Sequence, residues 1–182
     1  MMHESNKEII NIEDTAISFE SVYKEAYFPK DLLSEIGKAN MLIIPEHLVR
    51  ENVSEYVFPE TTREFLGYAQ EKASDVFVPD IAADDDSFEK LELHSAVVTV
   101  ATFIVTSIVL PIALSIVANF LTDEIKKHHR KEGELMAKIN IIVADDKGNK
   151  KISYEGPADS AEDALKLAVQ GMFTSNGDNN GN

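Results

Sequence analysis

Cysteine does not occur anywhere in this chain of 182 residues. Its absence excludes a disulfide framework, a thiolate nucleophile and any metal site built from cysteine ligands. The composition is compatible with a bacterial or cytosolic-type protein, although it does not assign the compartment. The first residues also lack a basic segment followed by an apolar one, so we expect no cleaved signal peptide there.

Basic residues are the second shortage, with 17 Lys and Arg against 32 Asp and Glu and a formal net charge of −15. Binding to nucleic acid needs clustered Lys and Arg, so we expect no nucleic-acid partner. The acidity is uneven along the chain. Residues 1–94 hold 8 basic and 21 acidic residues, whereas residues 122–182 hold 9 and 11.

Sequence motifs of catalysis are missing as well. The chain has no P-loop, no G-x-G-x-x-G, no H-E-x-x-H and no G-x-S-x-G. His47 follows Pro45 and Glu46, and an Asp, Glu or Ser can approach it only through the fold, so a surface histidine is the preferred interpretation. We therefore favour a non-catalytic protein without a cofactor.

One stretch without charge, residues 95–121, dominates the hydropathy pattern. It exceeds the roughly 20 apolar residues that cross a bilayer as a helix, so the sequence predicts a single transmembrane span with a kink at Pro111. A buried core helix of a soluble oligomer is the alternative. A strand is the poorer interpretation, because buried strands usually last about 4–8 residues.

Hydroxyl side chains recur within this stretch at helical spacing. Ser95, Thr99, Thr102 and Thr106 fall on one side of the predicted helix. Such residues let transmembrane helices approach and share hydrogen bonds, which predicts helix–helix contact in a homo-oligomer. The alternative is that each hydroxyl bonds only to its own backbone.

The dense basic cluster of the chain follows the stretch and consists of Lys126, Lys127, Arg130 and Lys131. Next to a span such a cluster normally stays cytoplasmic and contacts anionic lipid. This predicts a protein of the inner membrane with a cytoplasmic C-terminus and with residues 1–94 on the other side. The adjacent His128 and His129 point to different helix faces, which disfavours a shared metal.

Residues 1–86 have the pattern of a small acidic α/β domain. Apolar runs predict strands at Ala16–Phe19, Met41–Ile44 and Val76–Val78, and helices follow Pro29 and the capping sequence that starts at Thr61. If this domain has a pocket, the carboxyl ends of its strands near Ile44–Pro45 and Val78–Asp80 are the expected place.

Acidic residues gather at the end of this domain. Asp80, Asp84 and Asp85 are weak candidates for a Ca²⁺ or Mg²⁺ site, since these ions prefer oxygen ligands. The favoured interpretation is a solvated loop whose last residue, Asp86, caps a helix. This helix starts the segment 87–131, which includes the predicted span.

Residues 132–173 predict a β-hairpin and a helix, followed by a disordered tail at 174–182. Alternating apolar residues lie on both sides of a turn at 145–149, and Ser160 precedes a helical pattern. A module of this size rarely folds alone. We expect it to bury its open face on another subunit, on the N-terminal domain or on a partner.

The order of span, basic stretch, hairpin and helix resembles small bacterial membrane-anchored proteins that accompany defence systems. The resemblance lies in Lys138–Val143, Lys150–Gly156 and Ala161–Val169. It implies a non-catalytic effector or accessory protein at the lipid bilayer, with a protein partner encoded nearby. A membrane-tethered α/β enzyme or nucleotide sensor is the alternative from another class.

Overall fold

The computed structural model describes residues 8–85, 90–91, 97–128 and 135–174 and has a mixed α/β architecture. The helices are α1 (Phe19–Tyr23), α2 (Leu33–Ile36), α3 (Thr62–Glu71), α4 (Leu110–Lys127) and α5 (Ala161–Thr174). Short 3₁₀ turns at Lys30–Leu32 and Ala158–Ser160 precede α2 and α5. The strands are β1 (Ile9–Asp14), β2 (Met41–Ile43), β3 (Glu46–Arg50), β4 (Val53–Pro59), β5 (Pro79–Ile81), β6 (Lys90–Leu91), β7 (Val97–Thr99), β8 (Phe103–Thr106), β9 (Met136–Asp145) and β10 (Gly148–Pro157).

A seven-stranded sheet of the described residues carries the architecture. Its order is β1-β10-β9-β8-β2-β5, and β7 lies beside β9 along the same line as β8. The pairs β8–β9 and β2–β5 are parallel, whereas β1–β10, β10–β9 and β2–β8 are antiparallel. The connection from β8 to the parallel β9 runs through α4, as parallel neighbours require a crossover. A smaller sheet has the order β3-β4-β6.

Strict alternation along the central strands separates two hydrophobic cores. In β2, Met41 and Ile43 belong to one core, whereas Leu42 faces the other. Successive side chains of a strand point to opposite faces of its sheet, so a strand that is apolar throughout is covered on both sides. The larger core packs α3, α4 and α5 on one face, and the smaller core packs α1 and α2 on the other.

The uncharged stretch 95–121 is not a single helix, so this prediction is wrong for residues 97–109. The chain forms β7 and β8 there; β8 lies between β9 and β2 in the large sheet, and β7 pairs with β9. Residues 100–102 stand opposite only two residues of β9, so the strand carries a bulge between β7 and β8. The continuous apolar pattern arises because β8 is sandwiched between two layers of helices.

A helix does form in the second half of the stretch, where α4 begins at Leu110. Pro111 lies in its first turn rather than at a kink, because the first turn requires no backbone donor from the proline. Among the described residues, no helix is both long enough and apolar enough to cross a membrane.

The N-terminal elements differ from expectation at three places. Residues 16–18 connect β1 to α1 instead of forming a strand, Phe19 begins α1, and the third predicted strand lies slightly later, at β5. The hairpin of β3 and β4 was not predicted. Its turn places Glu51 and Asn52 at positive φ, 42° and 73°, and asparagine is among the residues that tolerate this conformation.

The predicted C-terminal hairpin and helix are confirmed as β9, β10 and α5. The ten-residue strands pair along their whole length, and Gly148 at φ 132° closes the turn. Both edges of the hairpin pair with strands from earlier in the chain, and its apolar side chains pack in the two cores formed with helices of the same chain. The strand β1 pairs with β10, and β8 pairs with β9.

Candidate functional site

A cavity of about 360 Å³ opens beside the smaller core, between α1, the β3–β4 hairpin and the face of the large sheet. We call it the tyrosine cleft. Its lining residues come from eight neighbouring segments and are Ile17, Ser21, Val22, Glu25, Tyr27, Ile44, Pro45, Glu46, His47, Tyr56, Thr102, Asn140, Ile142 and Lys151. The cleft begins where β2 ends, beside Ile44 and Pro45, which is one of the two places that the sequence suggested for a pocket.

Three aromatic rings form one wall of the cleft. His47 stacks on Tyr56 with ring centroids 4.8 Å apart and planes 17° apart, because the two residues are directly opposite in the hairpin. Tyr27 approaches the same tyrosine at 4.7 Å and 44°. Burial raises the pKa of Tyr27, and Glu25 and Tyr56 raise it further. Tyr27 therefore remains a neutral phenol at neutral pH.

Charged and hydrogen-bonding groups complete the lining. Thr102 donates from Oγ1 to Oε1 of Glu46 over 3.3 Å, which ties the bulge of the large sheet to the hairpin. Glu25 adds a second carboxylate and Lys151 adds an ammonium group. Together with the rings, these groups make the cleft an amphipathic recess with polar groups at its walls, as ligand sites typically are.

His47 also hydrogen-bonds through Nε2 to Oγ of Ser54 on the neighbouring strand. A histidine and a serine in contact invite comparison with a nucleophile and its base. Both side chains are exposed on the hairpin surface, and among the described residues no carboxylate lies within ion-pair distance of the ring. We therefore interpret the pair as a contact that orients the imidazole against Tyr56.

Sequence reasoning missed Tyr27, Tyr56 and Lys151 as site residues. Their positions span more than 120 residues of the chain, and only the strand order brings them together. The available signal was Asn52, because asparagine is a common residue at the positive φ values of hairpin turns.

The acidic residues Asp80, Asp84 and Asp85 do not define a metal site. Asp80 lies on β5 and accepts a hydrogen bond at Oδ1 from the backbone of Ile81 over 2.8 Å. In the part of the chain that the structure describes, no group of three or more acidic or histidine residues is arranged to hold a metal ion. The predicted cap at Asp86 lies outside the described residues.

Asp80→Asn is expected to stabilise the protein at pH 7. Burial raises the pKa of Asp80 above the ordinary value of an aspartate, although the Ile81 hydrogen bond acts in the opposite direction. A raised folded-state pKa means that the charged form weakens the fold at neutral pH and that this penalty disappears as the pH falls below the unfolded pKa of about 3.8. Urea unfolding at pH 7 and pH 3.5 measures the difference.

Asparagine keeps the acceptor for Ile81 and removes the charge, so the stabilising effect should be present at pH 7 and absent at pH 3.5. A variant that is less stable at pH 7 would contradict the expectation. Asp85→Asn is the control, because Asp85 is exposed and should change stability little at either pH.

The hydroxyl residues of the predicted helix face do not share a helix face. Thr99 lies in β7, where its carbonyl accepts a hydrogen bond from Thr61 Oγ1, and Thr106 ends β8. Thr102 lies in the bulge and contacts Glu46 in the tyrosine cleft. Ser95 lies outside the described residues.

Of the predicted basic cluster, Lys126 and Lys127 lie in the last turn of α4, and Arg130 and Lys131 are outside the described residues. Lys127 forms an ion pair with Glu64 and approaches Oε1 of the buried Glu124 at 3.5 Å. His128 contacts the other oxygen of Glu124 at 3.4 Å. These residues border a second cavity of about 270 Å³, where the charges are largely engaged with one another.

Comparison with protein-family models, curated proteins and solved structures finds no match for this chain. Functional interpretation therefore depends on the geometry of its own sites.

Proposed function

We propose that this protein is a non-catalytic binding module and that its tyrosine cleft receives a side chain of a partner protein. The observation that supports this most directly is the wall of three rings, Tyr27, Tyr56 and His47, beside a recess of about 360 Å³. Tyrosine supplies a large contact area at low entropic cost and is enriched where proteins recognise one another.

The surface around the cleft favours a macromolecular partner over a small molecule alone. Val49 lies on the same face of the hairpin as His47 and is 69% exposed, and Tyr56 is 38% exposed. One exposed apolar side chain, that of Val49, therefore lies next to the aromatic wall outside the cavity. Exposed apolar surface next to a pocket is typical of protein-interaction sites.

This proposal retains the accessory role that the resemblance implies and the expected protein partner. It does not rest on membrane attachment or on self-association, both of which stay predictions. Nor does it require the enzyme alternative, because within the described parts of the chain no carboxylate forms an ion pair with His47 that would orient it as a base towards Ser54.

The test is a nuclear magnetic resonance titration of the full chain with N-acetyl amino-acid amides, one for each class of side chain. We expect at least one class to shift the resonances of Tyr27, His47 and Tyr56, with an affinity on the order of 1 mM, because a single side chain offers few contacts.

Ile17→Trp is the blocking variant. Ile17 lines the cleft and is 37% exposed, so the larger indole ring at this position would occupy the cavity. Leu167→Trp, at a 69% exposed position on α5 across the sheet, is the matched control. Shifts should disappear in the first variant and persist in the second. The proposal fails if no amide shifts the resonances of the cleft residues, or if the Ile17→Trp variant binds the amides as well as the parent protein does.

A further inference from the structure

We infer that the tyrosine cleft recognises a guanidinium group, presented by an arginine side chain of the partner. This inference rests on the proposed side-chain-binding function and names the ligand class of the same site. Three features of the lining point in this direction: its rings, its balance of charge and the capacity of its acceptors.

The rings offer stacking surface to a planar cation. His47 and Tyr27 both lie against Tyr56, and the 44° angle between the two tyrosine rings makes this wall a shallow wedge rather than a flat stack. A cation near a tyrosine face is attracted by the ring quadrupole, and arginine makes such contacts more often than lysine. The partly buried Tyr27 adds a hydrogen-bonding hydroxyl group.

The balance of charge favours a cation over an anion. Two carboxylates, Glu25 and Glu46, line the cleft against one ammonium group, that of Lys151. The surrounding field has the same sign, since the chain carries a formal net charge of −15. Such a field attracts basic partners and raises their rate of association.

The acceptor capacity of the cleft carboxylates, next to its rings, favours guanidinium over ammonium. Glu46 already accepts one hydrogen bond from Thr102, yet a carboxylate has about four acceptor positions. A guanidinium group carries five donors in a planar fork, so one group can bond to a carboxylate and stack on a ring at the same time. An ammonium group is compact and strongly hydrated, which makes it the poorer fit to a wall of rings.

The experiment compares four probes in nuclear magnetic resonance titrations of the full chain: N-acetyl-arginine amide, N-acetyl-lysine amide, N-acetyl-citrulline amide and free arginine. Citrulline has the shape of arginine without its charge. We expect the arginine amide to bind about tenfold more tightly than the citrulline amide and several-fold more tightly than the lysine amide. Free arginine should bind no more tightly than its blocked amide.

Glu25→Gln should weaken binding of the arginine amide several-fold and leave that of the citrulline amide unchanged. Glu71→Gln changes the net charge equally but lies on α3 across the sheet, so it should leave both affinities unaltered. Amide resonances outside the cleft report whether either variant disturbs the fold.

Each contrary result overturns a stated part of the inference. If the citrulline amide binds as tightly as the arginine amide, the cleft does not require a cation. If the lysine amide binds as tightly as the arginine amide, the cleft does not require a planar cation. Tighter binding of free arginine overturns the partner side chain in favour of the free amino acid. In all three cases the cleft still binds a ligand, whereas failure of every probe and every other amide class contradicts the proposed function itself.

Discussion

Replacing Phe103 by alanine is expected to lower the free energy of unfolding by about 3–5 kcal/mol. Phe103 is fully buried in β8, the central strand whose face carries the larger core. Its ring lies 5.8 Å from that of Phe65 on α3, so the substitution opens a cavity between the sheet and a helix. Urea unfolding followed by circular dichroism measures the loss.

Ile108→Ala is the matched control, because Ile108 belongs to the same uncharged stretch and is 88% exposed in the loop before α4. Its cost should stay within about 0.5 kcal/mol. In a transmembrane helix over residues 95–121, both side chains would belong to one span, and the two substitutions would not be expected to differ so much in their effect on stability. Similar small effects at the two positions would therefore contradict the buried strand.

The misinterpretation of residues 95–121 has a definite physical cause. Residues 103–106 form a strand covered on both faces, and residues 110–121 form a helix whose buried side faces the same core. Strands of this kind are apolar throughout, and here only residues 107–109, also without charge, separate strand from helix. Composition alone does not distinguish two consecutive buried elements from one long span.

The C-terminal hairpin was predictable because its pattern is local. One face of β9 carries the alternating residues Ile139, Ile141 and Val143. On β10, Ile152 lies opposite Ile141 and Tyr154 lies opposite Ile139. Local alternation and a glycine-containing turn are sufficient to specify a hairpin. The order of the other strands depends on contacts between distant residues, for which the sequence offers no comparable periodicity.

The candidate site was less predictable than the fold. Glu46 and His47 attract notice in the sequence, but their significance depends on Tyr27 and Tyr56 from other elements. The hairpin of β3 and β4 is especially difficult to predict from sequence, because its exposed residues lack the regular apolar and polar alternation of a half-buried strand. The cleft is thus a property of the tertiary arrangement rather than of a motif.

Lys127→Met should cost about 1–3 kcal/mol of unfolding free energy, the usual penalty when a buried acceptor loses a partner. The side chain of Glu124 is only 5% exposed, and Lys127 approaches one of its oxygens while also pairing with Glu64 on α3. The substitution leaves the contact of His128 Nε2 with the other carboxylate oxygen of Glu124, 3.4 Å away. It also removes the ion pair between α4 and α3.

Lys126→Met separates this structural role from the predicted membrane-flanking role. Lys126 is the preceding residue and is exposed, so its loss should change the free energy of unfolding by no more than about 0.5 kcal/mol. Both variants remove one positive charge from the same helix end and keep a similar aliphatic stem. Because attraction to anionic lipid depends mainly on the number of basic residues, a lipid-contacting cluster would make the two variants equivalent in vesicle binding and in stability. A large difference in urea midpoints between them is the result expected if Lys127 serves to compensate the buried carboxylate of Glu124, and equal midpoints would contradict that role.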